Sequence, residues 1–309
     1  MANIRQIAKL SGYSVSSVSR VLNNHPHVSE EARKKILAVI RELDYTPNLV
    51  AKDLSLGQTH KVGVIIPHTR HPYFTQLLNG LLDAAQVSQH QLLLLPSQYN
   101  KNLEISYLEQ LRGHAFDSLI FTSRSLDLEL ISSYVKYGNI VCCEQVDNPR
   151  LSSVYINRTA AFIEAFQWLQ MQGAKRPALL FTRKDTKSAT YRSTINAYHA
   201  VFGPKNAFTV ANVANAEDGY KLAPQLATSD KFDCIFTNGD DVAAGIIRYY
   251  QEQKLDLPLI IGQENQLTSQ LLKLPTIDNK SYQLGQAAFT QALAKQTTTV
   301  ALQAVFINR

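Results

Sequence analysis

Ile4-Arg5-Gln6-Ile7-Ala8-Lys9-Leu10-Ser11-Gly12-Tyr13-Ser14-Val15-Ser16-Ser17-Val18-Ser19-Arg20-Val21-Leu22 is the stretch on which the fold of this chain turns. Ile4, Ile7 and Ala8 fall on one face of a first helix, and Ser11-Gly12-Tyr13 reads as a tight turn. Ser14 stands where a second helix begins, its hydroxyl placed to accept an orphan backbone N–H. In that helix Val18, Val21 and Leu22 recur at i, i+3, i+4 as a buried stripe. At roughly 100° per residue, Ser16 and Arg20 point away from the stripe. A helix packed on one side, with short hydroxyls and one guanidinium on the other, suits insertion into a DNA major groove.

Working outward, Ser29 caps a third helix, and Glu30 and Glu31 complement its dipole. Ile36, Val39, Ile40 and Leu43 supply its apolar face, and Pro47 ends it by disfavouring a helical Thr46. The segment from Asn48 to Gly57 is too short to be a stable helix alone. Charge agrees with a nucleic-acid partner. Residues 1–60 hold eight Lys/Arg against five Asp/Glu, so half of the chain's net +6 sits in about a fifth of its length. That surplus is modest, so several phosphate contacts and a dimer are needed for useful affinity. The same helical pattern also arises in ordinary helical domains, and Leu54 taken alone reads more often as a packing residue.

Beyond Thr59 the pattern becomes alternating strands and helices. Short apolar runs at 62–67, 91–96, 118–122, 140–144, 154–157, 177–182, 234–237 and 259–262 read as buried strands, with amphipathic helices such as 73–87 and 158–172 between them. This alternation implies parallel sheets with right-handed crossovers. Two similar halves, divided near Asn157, suggest two doubly wound lobes facing a cleft, with ligand beyond the carboxyl ends of the strands. A length of 309 residues and 45% hydrophobic content suit about two domains with substantial cores. Gly239-Asp-Asp-Val-Ala-Ala-Gly245 lacks both the Rossmann spacing and the P-loop lysine, so no nucleotide cofactor is expected. Three cysteines, two of them adjacent, form neither a disulfide framework nor a zinc-ligand spacing, and no metal is expected. The N-terminus lacks a signal peptide's apolar stretch and no run approaches a membrane span, which makes a reducing cytoplasm the expected address.

Three places near strand ends attract attention. Asp240 follows Phe236-Thr-Asn-Gly239 and precedes a helix; its carboxylate suits either two sugar hydroxyls or a helix N-cap. Arg192 begins a helix, and its planar fork suits a ring oxygen and hydroxyl, a carboxylate or phosphate, or an ordinary surface ion pair. Tyr73 and Phe74 start the helix after the first strand, as an apolar wall for a ring or as core.

The run Ile4…Ala8-Lys9…Gly12…Ser14-Val15-Ser16-Ser17-Val18-Ser19-Arg20-Val21-Leu22-Asn23, followed by Val28-Ser29-Glu30, Tyr45-Thr46-Pro47-Asn48 and Ala51…Leu54, resembles the LacI/GalR family of bacterial repressors. The similarity continues, at a lower level, through nearly all of the chain. It implies an all-α helix-turn-helix DNA-binding domain followed by a two-lobed α/β domain of doubly wound parallel sheets, periplasmic-binding-protein-like. The implied boundaries are 1–46 for the DNA-binding domain, 47–59 for a hinge and 60–309 for effector binding and dimerisation. The lobes would be about 60–156 plus 281–297, and 157–280 plus 298–309. The resemblance assigns base reading to Val15, Ser16 and Arg20, and further DNA contacts to Asn48, Ala51 and Leu54. In it the hinge folds on the operator, with Leu54 as a minor-groove wedge. Such a wedge costs a few kcal/mol of unstacking, offset by contacts to the bent duplex. Effector contacts are implied at Tyr73, Phe74, Arg192 and Asp240, and at Asn279 in Thr276-Ile-Asp-Asn279, where a plain turn residue is the alternative.

The partners so implied are palindromic double-stranded operator DNA, a small-molecule effector (a sugar or sugar phosphate) and a second copy of the chain, as a homodimer or a higher assembly, with no membrane. Function would be repression of carbohydrate-utilisation genes, with no catalysis and no cofactor. Departures from the family pattern gather around the cleft. Gly239-Asp240 stands for Asn-Asp, Ile156 for an aspartate, Gln263-Glu264-Asn265 for aromatic-Asp-Asn, and Lys280 for proline. The competing class is a bilobal solute-binding protein or cleft enzyme. It lacks an export signal, and the eight histidines show no HExxH motif and no GxSxG elbow appears. It also leaves the first 59 residues without a role.

Overall fold

The computed structural model describes residues 3–47, 53, 57–69, 71–183 and 188–309, which divide into two units, Met1–Thr59 and His60–Arg309. In the first, α1 (Ile4–Ser11), α2 (Val15–Leu22) and α3 (Glu30–Glu42) each begin on a side-chain cap. Asn3 Oδ1 accepts from Gln6 N at 3.0 Å, Ser14 Oγ from Ser17 N at 3.1 Å and Ser29 Oγ from Ala32 N at 3.3 Å. Each cap satisfies a donor that the first helical turn leaves orphaned. Gly12 ends α1 at φ 77°, a left-handed conformation that a Cβ penalises, and this reverses the chain into α2 within three residues. Ile7, Val18, Val21 and Ile36 are buried together as the centre of the small core. Asn48, Ala51 and Leu54 lie outside the described residues.

The second unit holds two six-stranded sheets. Its strands are β1 (Lys61–Ile66), β2 (Gln91–Pro96), β3 (Ser118–Phe121), β4 (Asn139–Cys142), β5 (Ser152–Asn157), β6 (Pro177–Leu180), β7 (Phe208–Val210), β8 (Cys234–Phe236), β9 (Leu259–Gln263), β10 (Thr276–Asp278), β11 (Thr299–Gln303) and β12 (Val305–Ile307). The first sheet has the order β11-β5-β4-β3-β1-β2 and is parallel throughout. The second has the order β12-β10-β9-β8-β6-β7, with β12 alone antiparallel to its neighbour. Central strands such as β3 and β8 are buried at every residue, which is why they read as unbroken apolar runs: helices cover both faces of a parallel sheet.

Two features depart from the sequence reading. Residues 298–309 were expected in the second lobe, yet β11 pairs with β5 from Thr299↔Ser153 to Gln303↔Asn157 and closes the edge of the first sheet. Only β12 joins the second sheet. The pairing spans about 150 residues of chain, and local periodicity carries no trace of it. The three-residue strands β7 and β10 were likewise not anticipated.

The lobes therefore exchange chain at three places: after Asn157, between β10 and the helix Ser281–Ala292, and at Ala304, whose N–H donates to Asn157 O at 3.1 Å. In the first lobe the helices Pro72–Val87 and Ser281–Ala292 cross at Gly80 and Gly285. A Cβ on either would come within 2.0 Å or 2.1 Å of the facing backbone carbonyl, of Tyr282 and Leu77 respectively. In the second lobe Phe166 stacks on Phe236 at 4.6 Å and Phe162 meets Phe236 edge-on at 5.4 Å. Burying each such ring contributes about 1.5–3 kcal/mol. Among the described residues no helix is long and apolar enough to cross a membrane.

Candidate DNA-reading face and effector cleft

In the first unit, α2 buries Val18 and Val21 and leaves Val15, Ser16 and Arg20 exposed. The Ser14 hydroxyl that caps α2 also lies 2.8 Å from the Ser16 hydroxyl and 3.0 Å from that of Ser17. The serine cluster thus sets the helix start, and Ser16 stands one turn before Arg20 on the same exposed face. Nothing in the packing of the domain requires Val15, which is 42% exposed.

In the second unit a cleft of about 1000 Å³, counted with its opening to solvent, lies between the lobes. Its polar lining comes largely from the residues just past the strands. Arg124 lies beyond β3, Glu144 beyond β4, Arg158 beyond β5, Arg183 beyond β6, Asn238 beyond β8 and Glu264 beyond β9. This is where doubly wound sheets place ligands, because successive crossovers leave the strand ends uncovered there.

The charges are arranged in two groups. Arg124 and Glu144 form a largely buried fork, Nε to Oε1 at 2.5 Å and Nη2 to Oε2 at 3.3 Å, with Nη1 donating to Leu126 O at 2.6 Å. On the other side Arg158 Nε donates to Asn279 Oδ1 at 3.0 Å, and Asn279 Nδ2 donates to Glu264 Oε1 at 2.7 Å. Glu264 Oε2 accepts from Ser281 Oγ at 2.7 Å. Burial pushes the Glu264 carboxyl above its ordinary range, against the pull of the Ser281 hydrogen bond and the Arg158 charge. Glu264 sits at φ 91°, a sparsely populated conformation for a residue with a side chain, of the kind that gathers at binding sites. Lys280, where the family pattern has proline, adopts φ 55°, which a proline ring forbids. Its N–H and Nζ both bind Asp278, at 3.0 Å and 2.5 Å.

Aromatic rings form the remaining wall. Tyr73 and Phe74 both line the cleft and meet edge-on at 5.0 Å, with the Arg158 guanidinium 6.0 Å from the Tyr73 ring. Burial pushes the Tyr73 phenol well up, so its O–H remains a donor. Tyr99 lies under the Arg183 guanidinium at 4.0 Å, a separation suited to cation–π attraction.

Of the five effector positions expected from sequence, the structure brings Tyr73, Phe74 and Asn279 to the cleft and leaves two elsewhere. Arg192 is exposed and outside the lining. The start of the helix Ala189–Phe202 contributes Ser188, Ala189, Thr190 and Tyr191 to the lining. Asp240 is fully buried and also off the lining. It is the first residue of its helix, with Gly239 as the N-cap, and ties the start of β10 to the loop after β9: Oδ1 accepts from Thr276 Oγ1 at 2.6 Å and Oδ2 from Gln266 N at 2.7 Å. Arg124, Arg158, Arg183, Glu144 and Asn238 were missed, and Glu264 was singled out only as a departure from the family pattern, although each follows a strand within a few residues. Applying the strand-end rule to every strand would have found them.

Residues 3–48 match the family described as bacterial regulatory proteins, lacI family, and residues 59–302 match periplasmic binding proteins and sugar binding domain of LacI family. The chain is 38% identical to catabolite control protein B of Bacillus subtilis (strain 168), over 99% of each sequence. Its fold is similar to that of the lac repressor dimer bound to operator and the anti-inducer ONPF, with a TM-score of 0.80 at 19% identity over 100% of this chain and 98% of that one. A LacI family transcriptional regulator from Lactobacillus casei with bound sucrose superposes on 81% of this chain and 98% of its own at a TM-score of 0.72 and 20% identity. With both matched segments and near full-length identity to a relative, the chain belongs to the LacI family of bacterial transcription regulators.

Proposed function

We propose that this regulator is a dimeric repressor of carbohydrate-utilisation genes whose hold on a palindromic operator is set by a sugar or sugar phosphate in the interlobe cleft. The observation that carries the reading is the cleft itself: hydrogen-bonding side chains from the carboxyl ends of both sheets face an aromatic wall of Tyr73, Phe74 and Tyr99. Polar forks around a ring-sized apolar surface suit a polyhydroxylated ring, and guanidinium groups suit a phosphate on it. The sucrose-bound neighbour of the same fold supports the class.

In this reading Val15, Ser16 and Arg20 read base edges, while Asn48, Ala51 and Leu54 act in the hinge. Tyr73, Phe74 and Asn279 contact effector together with Arg158, Arg183 and Glu264. An effector favouring one lobe arrangement shifts operator occupancy only by its differential affinity, and moving the balance from 1:99 to 99:1 takes about 10⁴-fold. The test is selection of duplexes from genomic DNA by the purified chain, followed by operator binding with a panel of sugars and sugar phosphates. Selection of one palindrome whose binding responds to a panel member is expected. Sequence-blind binding, or a palindrome indifferent to the whole panel, would sink the proposal.

A further inference from the structure

His71 belongs to the first lobe and is almost fully buried at the cleft. It is the N-cap of the helix Pro72–Val87, its Nδ1 accepting from Tyr73 N at 3.2 Å. A backbone amide can only donate, so Nδ1 carries no proton. The other ring nitrogen, Nε2, lies 2.8 Å from the backbone carbonyl of Asn238 in the second lobe. A carbonyl can only accept, so Nε2 carries the proton. The two contacts together specify a single neutral tautomer. A Cβ on Gly239 would stand 3.4 Å from Nε2, so the backbone of the second lobe packs directly on the ring.

Asn238 is itself held from behind. Its Nδ2 donates to Thr182 Oγ1 at 2.8 Å and to Val213 O at 2.7 Å. The carbonyl that meets His71 therefore belongs to a residue with little freedom to follow it. The charged groups facing the ring are Asp241, from the helix Asp240–Glu252, and Arg158, from the turn after β5; Tyr73 is its neutral neighbour. Burial, helped by the Arg158 charge, outweighs the Asn238 hydrogen bond and the attraction of Asp241 and holds the imidazole below its ordinary pKa.

We propose that His71 is an interlobe positioning residue: its neutral imidazole latches the two lobes together across the cleft, and protonation of the ring releases the latch. A proton on Nδ1 would face the Tyr73 N–H and cost the ring its cap. In the present arrangement the charge would also be sealed from water under the second lobe's backbone at Gly239, so separation of the lobes, which hydrates the ring, relieves it. The sign follows from linkage. The closed arrangement takes the neutral ring and the open one takes up the proton more readily. The ring's contribution to closure is therefore full above the ordinary histidine pKa, about 6.5, and is lost as the pH falls below it. The contact is made between protein groups alone, and so stands apart from the identity of the effector.

The test uses the full chain carrying one label on each lobe, with the distance between labels measured from pH 8 to pH 5, and imidazole nitrogen shifts recorded in parallel. His71→Asn separates the two roles: the shorter amide still caps the helix through Oδ1 but cannot reach Asn238. Expected for the wild type is an Nε2–H tautomer at pH 8 and growth of a second, more open population below about pH 6.5. His71→Asn should stay folded, show the open population at every pH and lose the pH response. An Nδ1–H tautomer, a wild-type distance that ignores pH, or an unchanged pH response in His71→Asn would each overturn the proposal.

Discussion

Thr276 Oγ1 donates to Asp240 Oδ1 at 2.6 Å, with both residues sealed from solvent. The second carboxylate oxygen takes the Gln266 N–H at 2.7 Å, so one side chain joins the start of β10 to the loop after β9. Asp240→Ala strands both donors and should lower stability by roughly 1–3 kcal/mol per unsatisfied group. Asp240→Asn can accept from Gln266 and donate to the Thr276 hydroxyl, and should be tolerated. Urea unfolding of the two variants at pH 7 checks the contrast, and equal losses would remove the tether argument.

The same carboxyl makes stability depend on pH. Burial raises Asp240 to about 6 from an ordinary 3.8. The folded state thus holds this proton more tightly than the unfolded state, and the stabilisation is full below the unfolded pKa. It is lost as the pH rises through 6, by up to about 3 kcal/mol for a shift of roughly two units. Wild type should lose stability relative to Asp240→Asn between pH 4 and pH 7. Parallel profiles for the two would contradict the assignment.

On α2, Arg20 is exposed and makes no contribution to the small core of Ile7, Val18, Val21 and Ile36. Arg20→Ala should leave the melting temperature unchanged and cost about 1–3 kcal/mol of discrimination between the selected operator and a mutated one. Competition binding measures it. Unchanged selectivity would mean that α2 does not read bases through this residue.

Where the helices Pro72–Val87 and Ser281–Ala292 cross, Gly285→Ala places a methyl 2.1 Å from the Leu77 carbonyl oxygen. Backbone cannot step aside as a flexible side chain does, so about 1–3 kcal/mol of overpacking is expected. A denaturation midpoint equal to wild type would show that the helices can separate freely.

Arg183 lines the cleft and Arg192 does not. With whichever panel sugar or sugar phosphate raises the wild-type melting temperature, Arg183→Ala should weaken that stabilisation and Arg192→Ala should retain it. A charged hydrogen bond to ligand is worth about 1.5–3 kcal/mol, or roughly ten- to a hundredfold in affinity. The reverse ranking would return Arg192 to the site.

Much of the fold was legible because its signals are local. Ser14 and Ser29 cap the helices they were expected to cap, and β2 spans the anticipated residues, since capping and apolar runs are written within a few neighbouring positions. Arg192 and Asp240 were misplaced for a different reason. Both were judged by chemistry and by nearness to a strand end, but whether a side chain enters the cleft depends on its direction and on what packs behind it. Arg192 stands exposed outside the lining, and Thr276 and Gln266 hold Asp240 in the interior.

By itself the order of residues determined a capped three-helix unit followed by alternating strands and helices, because short-range sterics and hydrogen bonds decide such elements. Only the tertiary structure decided that β11 crosses back to the first sheet, that Asn279 links Arg158 to Glu264, and that His71 of one lobe meets the Asn238 carbonyl of the other. Those contacts join residues that are 15 to 167 positions apart. They form when whole sheets are brought together to bury their faces, and no local pattern encodes which distant partner each will find.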